Sequence, residues 1–338
     1  MDTLKKSSWN RHFSHIYVER DALNYKVTKK IIEKLSYSKV VEIESYINIF
    51  SKGNQDFNLQ KNSPKLILAV KKGVSMFYHG AKVCHSFGND NFYYTVLIQN
   101  CIFDCEYCFL QGVYASGNIV VFVNIEDDFK ELDYKLKTQD IYMCISYDTD
   151  LLGIDFITDY VSMWYEYANQ HQNLKVELRT KSSNINFFLD KKPNKNFILA
   201  WTLSPENFVK KYEKKTSLLE NRLKCISKMQ KLGYTVRICF DPIIYTRDFF
   251  DEYEKLIEKT FSIVDSSKLL DVSIGAFRIS KEYLKRMRQN RPDSAIIHYI
   301  YECENGVYSY EKDLLKTILD FVKKLVENYV DKEKIYLL

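Results

Sequence analysis

From about residue 91 onward, short apolar segments of strand length alternate with amphipathic segments of helix length, and this restricts the chain to few architectures. Strand candidates run from Tyr93 to Ile98, Val120 to Val123, Ile141 to Ser146, Lys175 to Arg179, Phe197 to Leu203, Thr235 to Phe240 and Val272 to Ala276. Helical spacing fills the intervals near Phe129 to Leu136, Asp155 to Gln170, Leu218 to Leu232, Phe249 to Phe261 and Glu282 to Gln289. Such alternation makes βα units around a parallel sheet, since parallel neighbours need a long crossover. A doubly wound sheet and a partial barrel both satisfy it. In either, right-handed crossovers place functional loops at the carboxyl ends of the strands.

The flanking regions are shorter. Leu23, Val27, Ile31, Ile32 and Leu35 give a helix between Arg20 and Leu35, Val40 to Ile47 follows as a strand-like stretch, and Leu66 to Val70 is a strand ending at Lys71 and Lys72 in solvent or at a ligand. A last helix from Lys312 to Val330 reads as a cover. The expected division is therefore an α/β extension over 1–90, the main unit over 91–300 and a C-terminal hairpin and helix over 301–338. With 10 Gly and 5 Pro in 338 residues there is no flexible linker, and 46% hydrophobic residues supply a sizeable core. No window reaches the roughly 18 apolar residues of a membrane span, and Met1 to Asn10 lacks the apolar run of a signal peptide. A cytoplasmic protein with no membrane partner is expected. The net charge of +5 is compatible with nucleic acid without indicating it.

Three of the eight cysteines stand together in Asn100-Cys101-Ile102-Phe103-Asp104-Cys105-Glu106-Tyr107-Cys108-Phe109-Leu110-Gln111, spaced C-x3-C-x2-C. The others, Cys84, Cys144, Cys225, Cys239 and Cys303, are scattered, which is no disulfide framework. Thiolates are soft ligands for iron–sulfur clusters and zinc. A closed structural zinc site takes four protein ligands, so three describe a site with one metal position open to something exchangeable. The segment follows the Tyr93 to Ile98 strand, on the functional rim.

This spacing, with an aromatic before the last cysteine, resembles the signature of radical S-adenosylmethionine enzymes. Over most of its length the chain resembles the spore photoproduct lyase family. The matching stretches are Leu66-Ile67-Leu68-Ala69-Val70-Lys71-Lys72-Gly73, Cys108-Phe109-Leu110-Gln111, Val121-Phe122-Val123-Asn124-Ile125-Glu126, Asp150-Leu151-Leu152-Gly153-Ile154-Asp155, Leu178-Arg179-Thr180-Lys181, Thr216-Ser217-Leu218-Leu219-Glu220-Asn221-Arg222 and Asp241-Pro242-Ile243-Ile244-Tyr245. The resemblance implies a partial (βα)6 TIM-type barrel and a [4Fe-4S] cluster on Cys101, Cys105 and Cys108, whose fourth iron binds S-adenosyl-L-methionine. It further implies a 5′-deoxyadenosyl radical, and cleavage of the methylene-linked thymine dimer in ultraviolet-damaged DNA to two thymines. Such a lesion must leave the duplex stack to reach a rim-mounted site. An external one-electron reductant such as a flavodoxin or ferredoxin goes with this chemistry.

Lys181, at a strand end, matches a family lysine that contacts S-adenosylmethionine; it also reads as an ordinary solvated lysine. Ser146, Thr202 and Ser204 end strands where hydroxyls can hold the ribose or carboxylate of the nucleoside or cap turns. Asp241, before Pro242, can bond a ligand or cap a turn. Arg278 matches an arginine that faces DNA in the family. Lys285, Arg286, Arg288 and Arg291 form a basic run suited to phosphates or to a solvated helix face. Tyr308 and Tyr310 resemble tyrosines near the lesion, and packing demands such residues too.

The chain departs from the family in two places. Six residues before Gly153, where the family has its hydrogen-donating cysteine, stands Tyr147; the nearest thiol, Cys144, lies three residues earlier and, by strand alternation, on the other face. The family's tyrosine after the third cysteine is Phe109, which has no O–H to relay hydrogen, while Tyr107 is retained. The expectation is a preserved radical-forming half and a changed terminal donor, Tyr147 or Cys144. The rivals are a radical S-adenosylmethionine enzyme with another substrate, and a non-catalytic nucleic-acid protein whose cysteines hold zinc.

Overall fold

The computed structural model describes residues 12–73, 75–80 and 85–338; Cys84 and residues 1–11 lie outside them. An N-terminal sheet holds β1 (His15–Glu19), β2 (Lys39–Ile43), β3 (Leu66–Ala69), β6 (Ile98–Gln99) and β8 (Ile119–Phe122) in the order β2-β1-β3-β8-β6. The larger sheet runs β18 (Ile335–Leu337), β14 (Leu269–Ala276), β13 (Thr235–Ile243), β11 (Phe197–Thr202), β10 (Leu174–Thr180), β9 (Ile141–Cys144), β5 (Phe92–Thr95) and β4 (Phe77–His79). From β5 to β14 the strands are parallel neighbours in chain order. No reversal of order occurs along that run, which rules out the doubly wound alternative and leaves a singly wound α/β arrangement.

One face of this sheet is concave. Strands lie about 4.8 Å apart, so β13 and β9, three places distant, stand roughly 14 Å apart in a flat sheet. Yet the guanidinium of Arg237 on β13 donates to Tyr142 Oη on β9 at 2.6 Å, to Glu177 on β10 at 2.5 Å and to Asp271 on β14 at 2.7 Å. These contacts gather side chains of four strands over one face of the sheet. Phe87 sits under the Arg237 guanidinium, 3.4 Å from its central carbon, and its ring also approaches Tyr142 and, from β18, Tyr336. The turn at 85–90 thus plugs the concave face near the amino ends of the strands. The carboxyl ends stay available.

The boundaries differ from expectation where the chain passes between sheets. The stretch expected as one strand from Tyr93 to Ile98 divides, β5 joining the large sheet and β6 the N-terminal one. Val120 to Val123, expected among the βα units, forms β8 against β3. Both strands are apolar and buried on both faces, so pattern alone cannot say which sheet receives them. The single helix expected from Asp155 to Gln170 is two, Leu151–Thr158 and Tyr160–Ala168, broken at left-handed Asp159 (φ 59°). Asp155 Oδ1 bridges the break by accepting from Val161 N at 2.9 Å.

The helix Lys312–Val326 buries Ile318, Val322 and Val326, and a small antiparallel sheet, β15 (Ile279–Ser280), β17 (Val307–Ser309) and β16 (Glu302–Glu304), precedes it. Among the described residues no helix is long and apolar enough to cross a membrane.

Candidate metal centre

The loop carrying the three cysteines is held open at its base. Asn100, left-handed at φ 68°, donates through Nδ2 to Ser116 O at 2.6 Å and Asn118 O at 2.7 Å, joining the two ends of the excursion between β6 and β8. Asparagine tolerates that conformation where most residues do not. Midway, β7 (Asp104–Cys105) pairs antiparallel with β12 (Glu213–Lys214), setting Cys105 opposite Glu213. Cys101, Cys105 and Cys108 thereby line one small cavity with Phe57, Lys61, Phe103 and Gln111 among its walls.

Lys61 is buried, and its ammonium donates to Phe103 O at 2.6 Å and to Cys101 O. Cys101 Sγ accepts from Phe103 N at 3.4 Å and Asp150 N at 3.3 Å. Burial, with the nearby Asp150 carboxylate, pushes the Cys101 thiol up to about 12, against the pull of Lys61; burial raises Cys105 and Cys108 as well. Buried thiols keep their protons until a metal displaces them. Three thiols around one cavity, two N–H groups aimed at a sulfur and an adjacent ammonium fit a three-thiolate cluster. Among the described residues no three His, Cys, Asp or Glu side chains converge on a single-ion site.

Two carboxylates organise this loop from outside it. Asp150 caps the helix Leu151–Thr158 at Gly153 N (2.9 Å) and accepts from Thr180 Oγ1 (2.7 Å) and Lys181 N (2.6 Å), tying the ends of β9 and β10 to Cys101. A Cβ on Gly153 would meet the Phe103 ring at 2.8 Å, so glycine admits the cysteine loop here. Glu213 accepts from Tyr107 Oη, from Ser204 Oγ at 2.9 Å and from Arg222 Nη2 at 2.5 Å, with Glu213 and Arg222 fully buried. Arg222 also donates to Ser217 O, Thr202 O and Thr216 Oγ1. Burial opposes the Glu213 charge, but Arg222 and Lys181 outweigh it and hold the carboxyl below its ordinary range.

The expected cofactor residues gather at the carboxyl ends of the strands. Lys181 places its ammonium 5.4 Å from the Tyr107 ring centre; burial opposes its charge, but Cys105 and Glu213 raise its pKa on balance. Ser146 Oγ accepts from Arg179 N at 2.7 Å, and Asp241 accepts from Arg179 Nη1 at 3.3 Å and Arg278 Nη1 at 2.9 Å. Thr202 is buried and presents its carbonyl to Arg222. Tyr107 donates its hydroxyl to Glu213.

Those residues meet elsewhere on the rim. Tyr147 stacks on Tyr94 with ring centres 4.2 Å apart and contacts Phe109 at 5.6 Å. Tyr94 is the cross-strand partner of Cys144 in β5 and β9. Because β9 ends at Cys144, strict alternation does not extend to residue 147, and the turn beyond it brings Tyr147 over the neighbour of Cys144. The opposite-face expectation for these two does not hold.

The expected substrate contacts divide. Arg278 is engaged with Asp241 and Ala276 O, Tyr308 is half-buried on β17, and Tyr310 is only 3% exposed, packed among Tyr245, Tyr299 and Tyr301. Of the basic run, Arg286 donates to Gly112 O and Val113 O, Arg288 to Ile297 O and Tyr299 O, and Arg291 to Gln111 Oε1 and Asp104. Three of the four arms therefore fasten the helix Lys281–Asn290, two of them to the cysteine loop. Sequence reasoning missed Lys61, Tyr94 and Glu213. Asp150 and Arg222 lay within matched stretches, and Asp150 three residues before Gly153 carries a capping signal.

The family model described as spore photoproduct lyase matches residues 12–337. A spore photoproduct lyase of Bacillus subtilis is 21% identical over 338 residues, covering 95% of this chain and 96% of its own. One of Clostridium acetobutylicum is 20% identical, covering 96% and 98%. Among solved structures, a spore photoproduct lyase mutant superposes with a TM-score of 0.83 at 20% identity, covering 96% of this chain and 98% of that one. Another, with bound AdoMet and dinucleoside spore photoproduct, gives 0.81 at 20% identity over 96% and 98%. The fold and its three-cysteine rim define an α/β enzyme architecture. The chain belongs to the spore photoproduct lyase family.

Proposed function

We propose that the chain is a radical S-adenosylmethionine DNA-repair lyase that cleaves the methylene-linked thymine dimer to two thymines. The observation that carries this is a family match over 12–337 in a chain whose three spaced cysteines line one cavity. The six parallel strands in chain order, curled around Arg237, support a partial (βα)6 barrel over 91–300, with 1–90 and 301–338 as extension and cover. β6 and β8 stitch the first two parts together. We place the enzyme in the cytoplasm, with a flavodoxin or ferredoxin as electron donor.

Cys101, Cys105 and Cys108 would hold a [4Fe-4S] cluster. When bound, that cluster and S-adenosyl-L-methionine supply reductive radical formation beside the substrate. The chain does the rest. Asp150 N and Phe103 N orient the Cys101 sulfur and, as donors to it, tune the site's potential. Lys61 and Lys181 offset thiolate charge, and the Glu213 and Arg222 pair fixes the loop's depth. Ser146, Lys181, Thr202, Ser204 and Asp241 surround the position for the nucleoside, Asp241 indirectly through Arg179. Arg278, Tyr308 and Tyr310 lie on the C-terminal side, where the lesion would enter.

Anaerobic reconstitution followed by iron and sulfide analysis, then incubation with reductant, S-adenosylmethionine and dinucleotide spore photoproduct, tests the proposal. Release of thymidylyl-thymidine is expected. Stoichiometric zinc without cluster absorbance removes the enzyme reading. A second reading, the same radical chemistry on a different substrate, draws on the engagement of Arg286, Arg288 and Arg291 with protein acceptors. Turnover to 5′-deoxyadenosine without repair, and DNA affinity insensitive to salt, would favour it.

A further inference from the structure

We propose that the lysine-rich surface of Lys210, Lys211 and Lys214, outside the cysteine loop, is where an acidic one-electron carrier protein docks, an inference that rests on the cluster chemistry proposed above. Electron transfer weakens steeply with distance, so a carrier must dock where the cysteine loop is thinly covered. Three elements cover it. The helix Phe57–Asn62 carries one charge, Lys61, and buries it. The helix Lys281–Asn290 spends Arg286 and, just past its end, Arg291 on acceptors of the loop. β12 is the third cover and is a single strand: Glu213 stands opposite Cys105, Lys214 opposite Asp104, and Glu106 N donates to Tyr212 O at 2.9 Å. Paired strands lie about 4.8 Å apart, so this surface is one strand removed from a cluster ligand.

The outer side of this cover is basic around an apolar centre. Glu213 is buried and Lys214 exposed, the alternation of a strand with one face in solvent. Lys210, Lys211 and Lys215 are exposed as well. Lys215, left-handed at φ 67°, turns the chain out of β12 and donates to Lys61 O at 2.5 Å, anchoring the segment to another wall of the cysteine cavity. Against these cations stand Glu106, 3.5 Å from Lys214 and largely covered, Glu206, which Lys210 shares with Lys259, and Glu252, which accepts from Asn207. Residues 206–231 hold eight Lys or Arg and three Glu, a surplus equal to the +5 of the whole chain. Half-buried Tyr212, 4.8 Å below the Lys211 ammonium, and exposed Leu218 supply the apolar centre of a protein interface, with the lysines as its rim. Such a rim steers an acidic partner and fixes its orientation. The expected lesion contacts, Arg278 and Tyr308, come instead from the segment after β14 and from β17, which favours a carrier over nucleic acid here. Docking passes one electron and breaks no bond: the reduced carrier loses it, and the cluster on Cys101, Cys105 and Cys108 gains it.

Titration of anaerobically reconstituted protein with flavodoxin at low and high salt tests the surface. Wild type is expected to bind, and more weakly as salt rises. Lys211→Glu with Lys214→Gln is expected to bind at least ten-fold more weakly and to slow stopped-flow oxidation of reduced flavodoxin at least ten-fold, while dithionite still supports 5′-deoxyadenosine formation at the wild-type rate. Lys228→Glu with Lys231→Gln makes the same change of charge about 15 Å down the helix Leu219–Leu232, and is expected to alter the affinity less than two-fold. Absence of salt-sensitive binding in wild type, wild-type affinity in the first variant, equal losses in the two variants, or loss of dithionite-driven turnover in the first overturns the proposal. So does a ten-fold loss of affinity for undamaged duplex DNA with flavodoxin binding unchanged, which gives the face to nucleic acid. Titration of cluster-free protein with oxidised flavodoxin keeps the two readings apart: if reconstitution yields zinc and no cluster, the function fails, and this titration still decides the docking face.

Discussion

Replacing Glu213 by alanine tests whether this carboxylate holds the cysteine loop together. The change strands the Arg222 guanidinium, fully buried beside it, and removes the acceptor of Tyr107 and Ser204. Removing one partner of a buried ion pair costs about 3–5 kcal/mol. The two orphaned hydroxyls would each cost about 1–3 kcal/mol alone, but effects sharing one carboxylate do not add, so the expected loss sits near the upper figure, about 5 kcal/mol. With a urea slope of about 3 kcal/mol/M, the unfolding midpoint of cluster-free protein falls by roughly 1.7 M, read by circular dichroism. The double change Glu213→Leu with Arg222→Met removes both charges and is expected to recover most of it. The sign with pH follows from the lowered Glu213 pKa: its stabilisation is complete above the unfolded value of about 4.3 and disappears as pH falls through the folded one. A loss under about 1 kcal/mol in Glu213→Ala, or a double variant no better than the single, refutes the reasoning.

Lys61→Met removes the donor that fastens the carbonyls of Cys101 and Phe103, and iron per reconstituted chain is expected to fall at least two-fold; an unchanged ratio would count against it. Burial pushes Asp148 up to about 6, so the folded state binds its proton first and stability declines as pH rises from about 4 to 6, by about 3 kcal/mol. Thermal unfolding across that range should flatten in Asp148→Asn, the remaining slope coming from Asp155, also raised to about 6 by burial, and from Asp128 and Asp150, which burial raises too. Gly112→Ala puts a Cβ 2.5 Å from Tyr283 Cβ and 2.7 Å from its Cα, prising the helix Lys281–Asn290 from the cysteine loop; a loss of about 1–3 kcal/mol in urea unfolding is expected.

The sequence carried the parallel α/β class and the cysteine triplet because both are local signals, a repeated period and a short spacing. It carried the strand ends at Lys181 and Thr202 for the same reason, whereas β9 stops at Cys144, short of Ser146, and β13 runs past Asp241 to Ile243. Partner choice between sheets was not legible: β8 is apolar on both faces, and only its hydrogen bonds to β3 assign it. Glu213 was hidden by its surroundings. In Lys210-Lys211-Tyr212-Glu213-Lys214-Lys215 it reads as one more solvated charge, and only pairing with Cys105 across 108 positions turns it into the buried centre of a network. The basic run was open between phosphates and a solvated helix face, and its use on protein acceptors was not legible because arginines suited to phosphates serve backbone carbonyls equally well.

This contrast bears on where the chain departs from its family. The three cysteines come from one contiguous loop, fixed by a few local hydrogen bonds, so their spacing is written in the sequence. The stacked rings of Tyr78, Tyr94 and Tyr147 come from three segments, β4, β5 and the turn after β9, and their contact depends on strand register. The pairing of Tyr94 with Cys144, and the ending of β9 at that residue, set a phenol stack there. Phe109, the residue after Cys108, closes this aromatic row with a phenyl ring against Tyr147.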